Sequence, residues 1–225
     1  MKIRIFCILL VFLSIGTNPS RASISAVGPF TGTMSESFES FGESNLPGSI
    51  PVMSGNASVS VPVNNYIGTS TSFGLGSSGN AHPSDGTNGL YFTYTFPAIN
   101  NSATITLAWN SPVSQFGGYF SAATDASGGL LHLTDPAPFT VRFFDGIGSL
   151  IDVKTFTYSH SATHDGGLDW HGWVSTSPIS SISITANYAF VDGLQATSVP
   201  EPTAAAMVGL GIAAISILRQ RRLFL

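Results

Sequence analysis

Cysteine and charged residues are both scarce in this chain, and each scarcity excludes a class of protein. The single cysteine, Cys7, lies in an apolar N-terminal stretch, so the remainder of the chain has no thiol with which to form a disulfide. Only 9% of the residues are charged, whereas 43% are hydrophobic, a balance that argues against an intrinsically disordered chain. The 225 residues therefore have room for one ordinary domain that is held together by its core alone.

Basic side chains are nearly absent from the middle of the chain. Between Ser23 and Ser198 the only ones are Arg142 and Lys154, while every Asp and Glu except Glu201 lies in that region. A protein that binds nucleic acid needs a basic surface to displace counterions from the phosphates. The sequence encodes no such surface, which excludes nucleic acid as a partner.

The N-terminus has the three parts of a secretory signal peptide. Lys2 and Arg4 precede an apolar stretch, and Ser20 and Ala22 supply the small residues that signal peptidase requires beside its cleavage site. We therefore expect residues 1–22 to be a signal peptide that is removed by signal peptidase, so that the protein is exported.

Between the two ends, short runs alternate apolar and polar residues with the period of a β-strand. These runs are 57–63, 90–96, 103–109, 139–144, 150–158 and 181–185. Asp145-Gly146-Ile147-Gly148 predicts a hairpin turn between two of them, because its glycines accept positive φ. No long stretch of this region has a convincing helical period. The region 23–198 is therefore predicted to be all-β, an antiparallel sandwich of two sheets.

The C-terminal segment has three parts. Pro-Glu-Pro at 200–202 precedes an uncharged apolar run, 204–218, and an arginine cluster at 219–222. About 15 helical residues span roughly 22 Å, which is short for a bilayer core of about 30 Å. Snorkelling arginines and local thinning of the bilayer make such a helix long enough. We therefore predict a transmembrane helix at 204–218 with its arginines in the cytoplasm, since the alternative, a buried core helix, has nothing to pack on in an all-β domain.

This order of motifs resembles the PEP-CTERM sorting signal of Gram-negative bacteria, a segment also labelled ice-binding protein C-terminal domain. The residues that carry the resemblance are Val199, Pro200, Glu201, Pro202, Arg219, Arg221 and Arg222. The resemblance implies that an exosortase recognises 199–225 while this segment is transiently in the inner membrane, and cleaves near Pro-Glu-Pro. It further implies delivery to the cell surface or the exopolysaccharide matrix, and it does not imply that the preceding domain binds ice.

The later half of the middle region is similar to the jelly-roll domain of many PEP-CTERM surface proteins, which is itself similar to carbohydrate-binding modules. The similar stretches are 110–120, the hairpin near 145–148, 171–185 and 188–196. The resemblance implies that 23–198 is a jelly-roll-like β-sandwich, flanked by the signal peptide and the C-terminal transmembrane helix.

Calcium suits an acidic, cysteine-free domain, because Ca²⁺ prefers carboxylate and carbonyl oxygens. The jelly-roll modules that this chain resembles place acidic residues near the first strand and just before the last. Glu39 and Asp192 occupy comparable places, and Asp85 is a further candidate in a loop. The resemblance thus implies a candidate structural calcium site at Glu39 and Asp192, with solvated or turn-capping carboxylates as the alternative.

One predicted loop collects residues suited to metal binding or acid–base chemistry. They are His160, His164, Asp165, Asp169 and His171. Gly166 and Gly167 indicate a loop rather than a helix, and exposed loops routinely collect such residues. No Gly-x-Ser-x-Gly, His-Glu-x-x-His or phosphate-loop motif is present. We therefore expect a protein that is not an enzyme, with a secreted hydrolase using 160–171 as the weaker alternative.

The aromatic residues include candidates for binding a sugar, since pyranose faces pack on flat rings. Trp109 and Trp173 lie in strand-like alternation and are predicted to be core residues, while Tyr119 and Tyr158 are further candidates. Trp170 lies in the predicted Gly-rich loop and is the candidate ligand-binding ring, with loop packing as the alternative.

Together these features predict an exported, exosortase-processed protein of the cell surface or extracellular matrix of a Gram-negative bacterium. Its β-sandwich would have a structural or adhesive role. The alternative is a carbohydrate-binding module that tethers the cell to polysaccharide, with exopolysaccharide as the partner.

Overall fold

The structure is a computed structural model that describes most of the region between the two termini. The described residues are 22–42, 44–46, 48–62, 65–70, 73–74, 80–81, 83–84, 86–94, 102–122, 137–158, 168–186 and 189–200. They form strands with two single-turn 3₁₀ helices, Glu39–Phe41 and Met53–Gly55. The predicted all-β class is therefore confirmed for this part of the chain.

Fourteen strands lie within the described residues. They are β1 (Ile24–Val27), β2 (Met34–Glu36), β3 (Ser44–Asn45), β4 (Ser49–Val52), β5 (Ala57–Ser60), β6 (Asn65–Ser70), β7 (Phe73–Gly74), β8 (Asn80–Ala81), β9 (Gly89–Tyr94), β10 (Ala103–Ala122), β11 (Ala137–Phe144), β12 (Leu150–Tyr158), β13 (Asp169–Ala186) and β14 (Ala189–Ser198). Every pairing described between them is antiparallel.

The two longest strands, β10 and β13, each take part in two layers. Residues 103–108 of β10 pair with 181–186 of β13, and 115–120 pair with 169–174. The register shifts between these two blocks. Pro112 and Pro178 lie at this point, where a proline has no N–H to donate to the ladder. Irregular pairing bends a strand, so β10 and β13 pass from one layer into the other.

All described strands except β7 and β8 form one continuous 12-stranded sheet, and its two layers are here named sheet I and sheet II. Sheet I runs in the order β12, β11, 181–186 of β13, 103–109 of β10, β5 and β4. Sheet II runs in the order β1, 169–175 of β13, 113–122 of β10, β14, β9, β6 and β3. Strand β2 pairs with the later part of β14, and β7 and β8 form a separate ribbon.

The core lies between the two sheets and is rich in phenylalanine. Phe139 of sheet I lies 5.8 Å from Phe120 of sheet II, and Phe143 of sheet I lies 5.5 Å from Trp173 of sheet II, measured between ring centroids. Edge-to-face pairs of this kind add about 0.5–1.5 kcal/mol each to the free energy of burying the rings. Trp109 and Trp173 are 7% and 4% exposed, which confirms both as core residues. The layers pack as in the predicted antiparallel sandwich, but among the described residues they belong to one continuous 12-stranded sheet rather than to two separate sheets.

The turn between β11 and β12 is stabilised by residues of the turn itself. The Oδ1 atom of Asp145 accepts hydrogen bonds from the N–H groups of Ile147 and Ser149, at 3.0 and 2.8 Å. Gly148 adopts a φ of +79°, which a residue with a side chain rarely takes. The predicted hairpin is confirmed, with Gly148 rather than Gly146 in the left-handed region.

Segments on either side of β4 contain non-glycine residues with left-handed backbone. Phe38, Met53 and Ser54 have φ values of 60°, 53° and 56°. Glu36 holds two of them, because its Oε1 accepts the N–H of Phe38 at 2.9 Å and its Oε2 accepts the N–H of Met53 at 2.7 Å. One carboxylate therefore stabilises two strained turns.

Two predictions for the termini fall outside the described residues. The signal peptide, 1–22, lies there except for its last residue, and so does the predicted helix at 204–218. No helix among the described residues is long and apolar enough to span a bilayer.

Candidate functional site

Trp170 lies on strand β13, so its assignment to a loop was wrong. Strand β13 begins at Asp169, and its pairing with β10 sets Trp170 opposite Tyr119. Trp173 faces the core, and neighbouring strand residues point to opposite faces, so Trp170 and Tyr119 belong to the outer face of sheet II. The glycines that suggested a loop, Gly166 and Gly167, lie outside the described residues, and the strand begins directly before Trp170.

A floor of two glycines underlies the Trp170 indole. Gly117 and Gly172 are directly opposite each other on β10 and β13. A Cβ atom on Gly117 would lie 2.6 Å from Cζ2 of Trp170, and one on Gly172 would lie 2.8 Å from its Nε1. Real Cβ contacts are not this short, so only glycine at both positions lets the indole rest against the backbone of the sheet.

Three further contacts fix the orientation of the indole. Its Nε1 donates to the carbonyl oxygen of Val27 at 3.2 Å. The ring of Phe30 lies 5.6 Å away at an interplanar angle of 88°, and that of Tyr119 lies 5.2 Å away at 72°. We name Phe30, Tyr119 and Trp170 the aromatic cluster. Trp170 is half-buried, so the cluster presents a ring whose position is set before any ligand arrives.

Sequence reasoning found two members of the cluster and missed the third. Phe30 follows Gly28-Pro29 after β1 and has no periodic neighbours that would mark it. Its place beside Trp170 depends on the pairing of β1 with β13, which joins distant parts of the chain. The side chain of Tyr158, another predicted candidate, lies outside what the structure describes.

The two predicted calcium ligands meet the same loop. Asp192 is fully buried on β14, and its Oδ2 accepts from the N–H and the Oγ of Ser84 at 2.7 and 2.9 Å. Glu39 Oε1 accepts the N–H groups of Thr87 and Asn88, each at 2.7 Å, and its Oε2 accepts the Thr87 hydroxyl at 2.8 Å. The Asn88 N–H, followed by the two Thr87 donors, lowers the pKa of Glu39. The two carboxylates thus clamp the two ends of one loop.

These contacts do not make up a calcium site by themselves. The described loop groups that contact Glu39 and Asp192 are N–H and O–H donors, whereas Ca²⁺ takes six to eight oxygen ligands. Across the part of the chain that the structure describes, no three His, Cys, Asp or Glu side chains gather as a metal site would require. Asp85 lies outside the described residues. Calcium binding stays a prediction, and the described contacts are those of loop-capping carboxylates.

The predicted His and Asp loop is described only at its end. His160, His164 and Asp165 lie outside the described residues, and Asp169 and His171 belong to strand β13. The His171 ring stacks on Phe156 with centroids 3.7 Å apart and planes at 20°. Burial lowers the pKa of His171, and the charge of Asp169 opposes this. His171 is therefore a packed ring that favours its neutral form, and hydrolase chemistry in this loop stays a prediction.

The predicted sorting motif is described only at its first two residues. The N–H of Val199 donates to the carbonyl oxygen of Pro112 at 3.1 Å, and Pro200 is exposed. Both residues line an open groove of about 660 Å³. Glu201, Pro202, Arg219, Arg221 and Arg222 lie outside the described residues.

Comparison with known proteins gives a coarse likeness of fold. No family model matches the chain, and no curated protein does. A DUF4465 family protein from Bacteroides caccae is similar at a TM-score of 0.41 and 9% identity, over 80% of this chain and 95% of that one. The CsCBM6-3 module from Clostridium stercorarium, solved with cellobiose, is similar at a TM-score of 0.34 and 12% identity, over 77% of this chain and 100% of that one.

A longer protein shows the same degree of likeness. The enzymatically active domain of bacteriophage CBA120 tailspike protein 4 is similar at a TM-score of 0.37 and 9% identity. The match covers 80% of this chain but only 20% of the tailspike chain. The sandwich assignment rests on the strand pairing and ring contacts described above.

Proposed function

We propose that the β-sandwich is a non-catalytic module that binds a neutral polysaccharide at the aromatic cluster. The observation that supports this most is the indole of Trp170, held on its glycine floor between two edge-on rings. The C–H face of a pyranose packs on a flat aromatic surface, and a ring that is already fixed loses little conformational entropy on binding. Tyr119 adds a hydroxyl at the same place, which suits a polyhydroxylated ligand.

The residues that adjoin Trp170 suit binding better than catalysis. The two described residues of the predicted acid–base set, Asp169 and His171, both adjoin Trp170 in the sequence, and His171 is the one with an imidazole. Its ring is stacked on Phe156 and faces the core side of β13, away from the aromatic cluster. The domain would therefore hold polysaccharide at the cell surface as an adhesive or structural part of the matrix.

The binding proposal is tested by retention on neutral polysaccharides. The full chain, purified in mild detergent, is screened against immobilised cellulose, mixed-linked β-glucan and β-galactan. Trp170→Ala should weaken the interaction about tenfold or more, because tryptophans at the centre of binding sites are among the residues most costly to truncate. Phe41→Leu, a change to a half-buried ring outside the cluster, is the control and should bind as the parent does. Absence of retention on every neutral polysaccharide, or equal retention of parent and Trp170→Ala, would contradict the proposal.

We further propose that the chain is exported and sorted at its C-terminus by an exosortase. This is supported by the order of Pro-Glu-Pro, apolar run and arginine cluster in the sequence. Of the described residues in the motif, Val199 donates a hydrogen bond to Pro112, and Pro200 is exposed beside an open groove, where it is accessible to an enzyme. Localisation at the cell surface or in the exopolysaccharide matrix follows from this proposal.

The sorting proposal is tested by replacing Pro200, Glu201 and Pro202 together with alanine. Fractionation and mass spectrometry should then find unprocessed protein in the inner membrane, while the parent is found shortened outside it. A variant that reaches the surface at the parent's mass would rule out sorting through this motif.

A further inference from the structure

The outer face of sheet I is a surface of hydroxyl groups. Directly opposite pairs join Ser183 to Thr106 and Thr106 to Ser60, across three strands. Inward residues on the same strands, such as Ile182 and Ile184, are buried in the core, so these hydroxyls face away from it. We name this surface the hydroxyl face. Its members are Ser58, Ser60, Thr104, Thr106, Thr140, Ser181, Ser183 and Thr185.

One positive charge stands in the hydroxyl face. Arg142 lies on β11 directly opposite Ser183 and is exposed. Lys154, the other basic residue between Ser23 and Ser198, is engaged by Asp152, with 2.8 Å between Nζ and Oδ2. Of the described side chains, none forms an ion pair with Arg142. Among the described residues, the domain therefore presents one guanidinium that is in no ion pair, and this group lies among hydroxyls.

Apolar side chains border the same face. The large hydrophobic residues that are exposed in the described chain are Ile147, Leu150 and Val153, at 88%, 54% and 40%. All three lie on the β11–β12 hairpin, and Val153 is directly opposite Arg142. Exposed apolar side chains gathered beside a polar surface are typical of a binding surface.

We propose that the hydroxyl face is a second polysaccharide-binding surface, specific for a chain that carries carboxylates, such as a polyuronate. The guanidinium of Arg142 would bind a uronate carboxylate in a two-pronged manner, which its planar fork of N–H groups favours. Serine and threonine would exchange hydrogen bonds with the sugar hydroxyls, and Val153 would contact the apolar side of a ring.

The composition of this face favours a polysaccharide over a protein as the occupant. Serine is depleted in protein–protein interfaces relative to the rest of the surface, whereas here it recurs on adjacent strands. The distribution of charge on the domain also determines where an acidic polysaccharide binds. Because nearly every other charged group between Ser23 and Ser198 is an acid, an anionic polymer is repelled elsewhere and attracted at Arg142.

This surface is separate from the aromatic cluster and does not depend on the function proposed for it. The two sheets pack through their inner faces, so Trp170 on sheet II and Arg142 on sheet I lie on opposite sides of the sandwich. One domain would therefore hold two polysaccharide chains at once. Such a module would cross-link a matrix instead of only adhering to it.

The test compares two variants that each remove one positive charge. The full chain in mild detergent is titrated against immobilised alginate, and neutral mixed-linked β-glucan is assayed in parallel. Arg142→Ala should weaken alginate binding about tenfold, as expected for loss of a charge-assisted hydrogen bond. Lys154→Ala should leave it nearly unchanged, because that ammonium is already paired and an exposed pair contributes little. Arg142→Lys should fall between the parent and Arg142→Ala, since it keeps the charge and loses the fork.

Other outcomes would overturn the proposal. Equal losses in Arg142→Ala and Lys154→Ala would mean that net charge alone governs binding. No retention of the parent on alginate would remove the site. Loss of alginate binding in Trp170→Ala would place both ligands at one surface, whereas loss of β-glucan binding alone in that variant leaves the hydroxyl face intact and tests only the aromatic cluster.

Discussion

The glycine floor under Trp170 leads to a specific prediction about the thermal stability of the Gly117→Ala variant. A methyl group at position 117 would lie 2.6 Å from Cζ2 and 3.0 Å from Cη2 of the indole, and 3.0 Å from the Cα of Gly172. Gly117→Ala should therefore force the indole off the sheet, and overpacking of this kind costs about 1–3 kcal/mol. For a domain of this size the melting midpoint should fall by roughly 2–12 °C.

The same substitution should behave differently when the indole is absent. In a Trp170→Ala background the two contacts with the indole disappear and the 3.0 Å approach to the Gly172 Cα remains, while an alanine in a strand is more stable than a glycine by about 0.5–1 kcal/mol. Urea denaturation of the parent, both single variants and the double variant gives the interaction energy between the two positions. We expect Gly117→Ala to be nearly neutral or stabilising in the double variant. An equal cost in both backgrounds would show that the indole does not rest on Gly117.

Three further predictions concern the carboxylates. Glu36→Gln should destabilise the domain by about 1–3 kcal/mol, because the new NH₂ group would face a buried N–H of Phe38 or Met53. Urea denaturation measures this loss, and an unchanged midpoint would refute the interpretation. The hydrogen bonds to Glu39 lower the pKa of its carboxyl group in the folded protein. The stability that Glu39 contributes is therefore fully present above the unfolded pKa of about 4.3, and it is lost as the pH falls through the lower pKa of the folded state. Glu39→Gln should therefore flatten the fall in stability below about pH 4.5, and a parallel curve would contradict it. Because the described hydrogen bonds of Glu39 and of Asp192 Oδ2 come from loop donors, we expect a chelator to leave the melting midpoint of the parent unchanged, while Asp192→Ala lowers it with or without calcium. A calcium-dependent rise in the midpoint that Asp192→Ala abolishes, and Asp152→Ala does not, would establish the calcium site instead.

Local patterns in the sequence predicted the strands that are regular and close to their partners. Strand β12 has the predicted bounds, and Trp109 and Trp173 are in the core as their alternation indicated. The β11–β12 hairpin was predictable because its turn is made by residues that are adjacent in the chain.

The aromatic site was harder to predict because it is made by distant residues. Trp170 contacts Val27, which is 143 residues away, and no local signal reports such a pairing. Glycines and polar residues suggested a loop at Trp170, yet the glycine at 172 serves to admit the indole to the face of a strand. Similarly, the predicted strand-like runs are 103–109 and 181–185, whereas β10 and β13 continue through Pro112 and Pro178 by bending from one layer into the other. Sequence pattern predicts which face of a strand is buried, and only the packed sheets decide what lies on the other face.

The proposal that Trp170 is the ligand-binding ring is tested most directly by NMR of the indole N–H groups. The chain has three tryptophans, so a ¹H–¹⁵N spectrum should contain three indole signals, and Trp170→Phe identifies the one from Trp170. When a neutral oligosaccharide prepared from the retained polysaccharide is added, the signal of Trp170 should shift and saturate with the ligand. The signals of Trp109 and Trp173 should stay in place, because both side chains are buried in the core. A Trp170 signal that does not move at ligand concentrations where the protein is retained would contradict the assignment of the aromatic cluster as the binding site.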